Sequence, residues 1–345
     1  MAQINKPDTY FNTVLWTGDG TTPRNITGVG FQPDLVWAKG RSVAEHHVLT
    51  DAVRGGNKQL YSSLNLAEGS STDRIQSFDS DGFTIGDATA VNQSSATYVA
   101  WNWLASNTTA SNTDGSITST VSANTTSGFS IVTWSGSGAT GTIGHGLGTE
   151  PSVIIPKCRT QTADWYSYWK PLGNGNAIRL NTTDASAATG IWNSTSPTSS
   201  VFSVINNTVV NQSGHTYVAY CFAEKKGFSK FGSYTGNGNA DGTFVYTGFK
   251  PAWLMIKRTD SADAWFMFDN KRAGAYSPNT NPSWEFLLAN ATNTGANTDR
   301  IDLYSNGFKM RYAWDSINAS GGTYIYMAFA ENPLVGTNNI PATAR

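Results

Sequence analysis

The segment "VNQSSATYVAWNWLA", residues 91–105, occurs three times in the chain in related forms. It returns as "VNQSGHTYVAYCFAE" from Val210 and as "INASGGTYIYMAFAE" from Ile317. A segment of this length that recurs in tandem indicates that one structural unit is built more than once. The chain of 345 residues is therefore expected to fold as related copies.

Residues upstream of the repeated segment recur in the same order and define the copies. The matching sets are Trp16, Gly18, Gly20, Gly30, Pro33 and Lys39; Trp134, Gly136, Gly138, Gly148, Pro151 and Lys157; and Tyr234, Gly236, Gly238, Gly248, Pro251 and Lys257. They predict copy 1 at residues 11–105, copy 2 at 129–224 and copy 3 at 228–333. The predicted domains are 1–105, 129–224 and 225–345, the last with a C-terminal tail, and residues 106–128 are predicted to be a polar linker.

Composition and apolar periodicity predict an all-β protein. Charged residues make up 14% of the chain and aromatic residues 12%, with 34 glycines. Apolar residues alternate in short segments bounded by glycine and asparagine turns, and copy 1 has eight such segments. This pattern predicts three tandem antiparallel β-sandwich domains, jelly-roll or lectin-like, each with its own core. The repeated segment carries Val99, Trp101 and Trp103 on one face and small residues on the other, so it is expected to be a strand buried on both faces.

Charge and hydropathy argue against two classes of partner. The formal net charge is −1 and the basic residues are scattered, so binding to nucleic acid is not expected. No run of 18 apolar residues occurs, and membrane insertion is not expected either. The first residues lack the apolar stretch of a signal peptide, which favours folding in a cytoplasm. Cys158 and Cys221 are accordingly interpreted as two buried thiols, with one disulfide as the alternative.

The sequence predicts no catalytic residue, cofactor or metal site. Four histidines, at positions 46, 47, 145 and 215, fall at non-equivalent places in the copies. Their spacing to the cysteines matches no zinc pattern. "DSDG", residues 79–82, is interpreted as a hairpin turn, with a calcium loop as the alternative.

Pairs of opposite charge recur in copies 1 and 3 and are missing from copy 2. The pairs are Asp51 with Arg54, Asp73 with Arg74, Asp269 with Arg272, and Asp299 with Arg300. Their joint presence and joint absence predicts a partly buried ion-pair network that aromatic packing can replace. The alternative is a carboxylate pair for acid–base hydrolysis.

Copy 2 is instead rich in aromatic rings. Trp165, Tyr168, Trp169 and Trp192 are candidates for stacking on sugar rings, because aromatic faces bind sugars in lectin-like sandwiches. The alternative interpretation is that these rings fill the core of the sandwich.

Several strings also resemble a known family. "GVGFQPDLVWAKGR", "FDSDGFTIG", "SNTDGSITSTVSANT", "GHGLG" and "FGSYTGNGNADGTFVYTGFKPAWLMIKR" are similar to a repeated domain of unknown function in virion structural and tail-fibre proteins of tailed bacteriophages, especially marine cyanophages. The resemblance covers nearly the whole chain. It implies a virion protein assembled in the host cytoplasm, and the family offers no catalytic residues to transfer.

The expected function is that of a non-enzymatic virion protein, a tail fibre or adhesin whose sandwich modules attach to a host-surface glycan. The alternative is a capsid decoration or head-fibre protein that binds the major capsid protein, and glycan hydrolysis is a remote alternative. The expected partners are tail or capsid subunits and a host glycan, with a homo-oligomer, such as a trimer, as the assembly.

Overall fold

The computed structural model describes residues 3–272, 285–297 and 300–336. Their regular secondary structure is almost all β, arranged in antiparallel sheets, as the sequence predicts. Each copy forms a larger sheet and a smaller sheet that pack together.

Copy 1 follows the predicted run of short strands. Its large sheet has the order β1-β9-β3-β4 and its small sheet the order β2-β8-β7. A two-stranded ribbon joins β5 and β6. The strands are β1 Phe11–Thr17, β2 Arg24–Thr27, β3 Leu35–Gly40, β4 Val48–Asp51, β5 Lys58–Gln59, β6 Gly69–Ser70, β7 Ile75–Asp79, β8 Gly82–Ile85 and β9 Thr97–Trp103, with helix α1 at Thr89–Asn92 and a 3₁₀ turn at Pro7–Thr9.

Copy 2 repeats this arrangement and adds two strands before its first common strand. The large sheet has the order β10-β11-β12-β19-β14-β15-β16-β17, and β13 pairs with β18. The strands are β10 Ala110–Asn112, β11 Ser119–Asn124, β12 Phe129–Ser135, β13 Gly141–Gly144, β14 Val153–Cys158, β15 Tyr166–Trp169, β16 Asn176–Arg179, β17 Ala187–Ala188, β18 Val201–Val204 and β19 Thr216–Phe222, with a 3₁₀ turn at Lys170–Leu172.

Copy 3 has a six-stranded and a three-stranded sheet, and β22 and β28 are its longest strands, with 10 and 11 residues. The orders are β20-β28-β22-β23-β24-β25 and β21-β27-β26. The elements are β20 Ser229–Thr235, β21 Phe244–Tyr246, β22 Phe249–Arg258, β23 Trp265–Asp269, β24 Glu285–Leu288, β25 Ala296–Asn297, β26 Ile301–Tyr304, β27 Gly307–Met310, α2 Asp315–Asn318 and β28 Thr323–Pro333.

The segment predicted as a linker, residues 106–128, is instead part of the second sheet. Strand β11 pairs with β12 along its whole length, and β10 pairs with β11. Ile117 also forms a bridge with Ile143 of the small sheet. The segment is polar because an edge hairpin turns one face to solvent, and polarity alone does not separate that case from a linker.

The repeated segment is the inner strand of each large sheet, β9, β19 and β28. Its tyrosine closes the preceding turn: the Tyr98 hydroxyl accepts from the Gln93 N–H and donates to the Thr89 carbonyl. The same ring stacks on Trp16 with centroids 5.4 Å apart. Tyr217 and Tyr324 make the equivalent contacts in their copies. This shared closure explains why both the tyrosine and the upstream ring recur.

Three outer cores lie between the paired sheets, one in each copy. A fourth, central core is built by the inner faces of all three large sheets. Its aromatic members include Trp37, Trp101, Trp103, Trp165, Trp169, Phe222, Trp253, Trp265 and Phe329. The cavity left between the copies is only about 10 Å³, roughly the room of one water. Each copy therefore has a core of its own and also shares one with the other two.

Candidate functional site

Equivalent side chains join the three copies in a closed cyclic order, copy 1 to copy 3, copy 3 to copy 2 and copy 2 to copy 1. Lys39 donates to the Thr292 carbonyl at 3.2 Å. Lys257 reaches Thr183 at 3.3 Å and Lys157 reaches Asn65 at 3.2 Å. Burial lowers the pKa of each of these lysines to about 8. The three shared lysines noted in the sequence are thus contacts between copies.

A second equivalent position supplies a ring nitrogen to each junction. Trp165 donates to the Tyr61 carbonyl at 3.0 Å and Trp265 donates to the Arg179 carbonyl at 2.9 Å. In copy 1 this position is His47, whose Nε2 lies 2.8 Å from the Leu288 carbonyl oxygen. Burial lowers the pKa of His47, which favours the neutral ring. Trp165 therefore joins copy 2 to copy 1.

The structure brings Asp51 and Arg54 together as a fully buried pair at 2.5 Å. The carboxylate also accepts from the hydroxyl of Tyr220 in copy 2 at 2.8 Å. Arg54 continues to Glu68 at 3.0 Å, which in turn binds Arg159 of copy 2 at 2.9 Å. Although burial disfavours charge on Arg54, Asp51 raises its pKa above the usual value. This pair is a junction between copies 1 and 2.

Asp269 and Arg272 form the equivalent buried pair in copy 3, also at 2.5 Å. Here the donor from the neighbouring copy is the Trp101 indole N–H at 2.9 Å. The Arg272 guanidinium carbon lies 5.5 Å from the centroid of the same indole ring. The junction of copies 1 and 3 thus repeats the design with a different donor.

Copy 2 lacks the pair because the third junction has no donor. Trp169 occupies the position of Asp51 and Asp269, since the three residues pair with Val153, Leu35 and Trp253. Those partners are equivalent because they pair in turn with Phe222, Trp103 and Phe329 of the repeated strand. The position of the donors Tyr220 and Trp101 is Met327 in copy 3. Both Trp169 and Met327 are buried in the central core. An unpaired carboxylate facing methionine would be costly, so an apolar ring replaces it.

Asp73 and Arg74 lie elsewhere in copy 1. They pair with each other at 2.8 Å, with side chains 42% and 24% exposed. The structure therefore leaves this pair partly exposed, whereas Asp51 and Arg54 are fully buried. Arg300 lies over the rings of Tyr312 and Trp314, 4.6 and 4.3 Å from their centroids. Asp299 lies outside the described residues.

The four rings proposed for sugar stacking are all buried. Trp165 and Trp169 are 0% exposed, and Tyr168 and Trp192 are 1% exposed. Trp165 and Trp169 belong to the central core, and Tyr168 and Trp192 to the outer core of copy 2. No face of these rings is open to a sugar, so their positions favour the alternative interpretation, core packing.

Exposed aromatic rings occur instead on the small sheet of copy 3. Phe244 is 45% exposed and Tyr246 is 58% exposed, while Val245 between them is buried. Val245 pairs with Phe308 as Ile26 pairs with Phe83 and Ile143 with Phe202. The neighbours on either side are therefore equivalent among the copies: Asn25 and Thr27 in copy 1, Thr142 and Gly144 in copy 2, and Phe244 and Tyr246 in copy 3. Comparing the copies position by position therefore identifies Phe244 and Tyr246 as exceptions. The density of aromatic rings along the sequence does not identify them.

We call this face the copy 3 platform, defined by Phe244, Tyr246, Tyr304, Asp302 and Lys309. Tyr246 and Tyr304 both pair with Gly307, so the three residues form one row across the sheet. A Cβ at Gly307 would lie 2.1 Å from the Val245 carbonyl oxygen, so no side chain separates the tyrosines. The rings of Phe244 and Tyr304 meet edge to face at 6.0 Å.

Charged side chains lie at the edge of the platform and form hydrogen bonds and ion pairs there. Asp302 accepts from the Tyr304 hydroxyl at 3.3 Å and from Arg311 at 3.1 Å. Lys309 is paired with Asp241. Exposed ring faces next to polar donors and acceptors suit a ligand with both apolar and hydroxyl surfaces.

Other chemistry has less support in the described part of the chain. It contains no group of three or more His, Cys, Asp or Glu side chains placed to hold a metal. Cys158 and Cys221 are free and buried. Among residues 3–272, 285–297 and 300–336, no helix has the length and apolar character needed to cross a bilayer.

The fold defines an all-β protein made of three related sheet pairs around a common core. Residues 6–333 match one family model, described as a domain of unknown function, DUF7483, and the chain belongs to that family. The matched region spans all three copies, so the unit of the family includes the central core. No curated protein matches the chain significantly.

Proposed function

We propose that the protein is a non-enzymatic structural component of a bacteriophage virion, a tail fibre or adhesin that attaches to a host-surface glycan through the copy 3 platform. The observation that carries the glycan part is the exposure of Phe244 and Tyr246 at positions where the other copies have small or polar residues. Folding alone does not require rings there, because copies 1 and 2 build the same sheet without them. Exposed rings at one of three equivalent places are typical of a binding surface.

The virion part of the proposal rests on the motifs that resemble phage structural proteins. The expected partners are tail or capsid subunits, with assembly in the host cytoplasm and a homo-oligomer as the working form. A rigid scaffold with four cores and buried ion pairs suits a protein that presents a surface without chemistry.

A second candidate is capsid decoration, and the closed arrangement of the copies favours it. One chain that joins three equivalent sheets around an axis presents three related outer faces. Such a chain could bind where three identical capsid subunits meet, because each copy would contact one subunit and the linked contacts would raise the overall affinity.

The glycan proposal is tested by giving copy 3 the residues of copy 1. The double variant Phe244→Asn with Tyr246→Thr should keep the fold, since copy 1 forms the same sheet with Asn25 and Thr27. Each aromatic contact is worth about 0.5–1.5 kcal/mol, so the loss of both should weaken binding to host cells or to a glycan array by about 5- to 150-fold. The matched control, Asn25→Ala with Thr27→Ala, should bind like the wild type. Equal binding by the double variant would refute the assignment of this face.

Position on the particle separates the two candidates. Gold or antibody labelling of purified virions at the tail supports the adhesin, and labelling over the head supports decoration. Absence from purified particles would contradict both.

A further inference from the structure

A polar cleft of about 270 Å³ lies where copy 1 meets copy 3. Its lining comes from the start of β1, from the loop that follows β23 and from the end of β28. Phe11, Ala252 and Ala330 form its apolar part. The polar side chains are Asp8, Asn12, Thr13, Asn270, Lys271, Glu331 and Asn332. The copy 3 platform contributes no residue to this lining, so the cleft is a separate site.

Thr13, which lines the cleft, is smaller than the equivalent residues of copies 2 and 3. It pairs with Trp101 as Ile131 pairs with Tyr220 and Phe231 with Met327. Copies 2 and 3 therefore place a larger apolar side chain at this position, and both are buried. Thr13 itself is 6% exposed, and its hydroxyl has no hydrogen-bond partner among the described residues. At this position copy 1 therefore has a smaller side chain with a buried, unpartnered hydroxyl, and this residue lines the cleft.

Asn270 presents a second unpartnered oxygen. Its amide nitrogen donates to Glu331 at 2.8 Å, which fixes the orientation of the group. Its Oδ1 is buried and lacks a partner in the part of the chain that the structure describes. Glu331 is held in turn by Lys250 at 3.0 Å. A buried polar atom without a partner is destabilising. Because the residues that carry these two oxygens line one cleft, a ligand there that donates hydrogen bonds to both would stabilise the protein.

We propose that this cleft binds one sugar unit. A pyranose ring has hydroxyl groups that donate to Thr13 Oγ1 and Asn270 Oδ1, and carbon–hydrogen faces that pack on the apolar part of the lining. The volume lies just below the ~300–1,000 Å³ of drug-sized pockets, as suits a single ring. A bare cation would satisfy the oxygens but not the contacts with Phe11 and the two alanines.

The test uses the whole chain and three probes, D-glucose, D-galactose and N-acetyl-D-glucosamine, in saturation-transfer NMR and calorimetric titration. At least one sugar should bind, and Thr13→Ile should weaken that binding tenfold or more by filling the cleft. Thr13→Ser, which keeps the hydroxyl, should retain it. Thr50→Val is the matched control, because Thr50 also has a buried unpartnered hydroxyl but does not line the cleft.

Thermal melting separates a filled site from a damaged fold. Thr13→Ile should melt at or above the wild-type temperature, since Ile131 occupies the same place in copy 2. Thr13→Val provides a smaller change if the isoleucine variant misfolds. The proposal is overturned if none of the sugars binds, if calcium chloride alone binds at the cleft, or if folded Thr13→Ile and Thr13→Val bind like the wild type. The platform variant Phe244→Asn with Tyr246→Thr should still bind the sugar in the cleft, so failure at one site is distinguishable from failure at the other.

Discussion

Arg54→Ala should be the most damaging single change among the charged pairs of copy 1. The guanidinium contacts the Asp51 carboxylate at 2.5 Å, Glu68 at 3.0 Å, the Leu49 carbonyl at 3.1 Å and the Tyr220 hydroxyl at 3.2 Å. Removing it leaves the Asp51 carboxylate at 0% exposure without its counter-charge. Loss of one partner of a buried pair costs about 3–5 kcal/mol. The free energy of unfolding should fall by that amount.

The assay is urea unfolding followed by tryptophan fluorescence, with Arg74→Ala as the matched control. Arg74 pairs with Asp73 at the surface, and exposed pairs contribute about 0.2–1 kcal/mol. The two variants remove the same type of side chain from the same copy, so they differ in burial and in the number of contacts that are lost. A loss below 1 kcal/mol for Arg54→Ala, or equal losses in both variants, would refute the reasoning.

Two further predictions concern titratable groups. Burial lowers the pKa of Lys39, Lys157 and Lys257 from 10.5 to about 8. Above pH 8 the unfolded chain therefore binds more protons than the folded chain. The free energy of unfolding should rise between pH 8 and 10. Urea unfolding across this range measures the slope, Lys157→Met should reduce it, and a flat or falling profile would count against the buried lysines. Cys158 and Cys221 are free and buried, and burial raises the pKa of the Cys221 thiol, so iodoacetamide should label neither in the folded protein and both in urea. Rapid labelling of the folded chain, detected by mass spectrometry, would contradict this.

The sequence predicted the strands well because their period-two pattern is local. Seven of the eight segments expected in copy 1 match strands β1 to β4 and β7 to β9, whereas the segment expected at 59–65 overlaps β5 at Gln59 only. Burial of the repeated segment on both faces was also predicted, and the structure supplies the reason. One face packs on the small sheet and the other on the neighbouring copies. Which copies pack on that second face depends on contacts between residues far apart in the sequence, and a local sequence pattern does not reveal such contacts.

The functional residues were harder to place because side-chain type does not reveal exposure. Trp165 and Trp169 suggested a binding surface, yet both fill the central core, one as a donor to the next copy and the other in place of Asp51. The absence of the charged pairs from copy 2 has a structural cause. Each buried pair needs a hydrogen-bond donor from the neighbouring copy, and the neighbour of copy 2 has Met327 at that position. Phe244 and Tyr246 are visible as outliers only once strand register makes the three copies comparable.

The central claim is that the three copies close on one shared core, and native-state hydrogen exchange of the repeated strand tests it most directly. The amides of 97–103, 216–222 and 323–333 lie in equivalent strands that all border the central core. If the three strands belong to one cooperative unit, their amides exchange only when the whole unit opens. These amides then have the same free energy of opening. Mass spectrometry of peptides from the three strands, in increasing urea, should therefore give one common value that falls by the same amount in all three when Arg54→Ala is introduced. Loss of protection in one strand while the other two stay protected would show that the copies fold independently and would contradict the account.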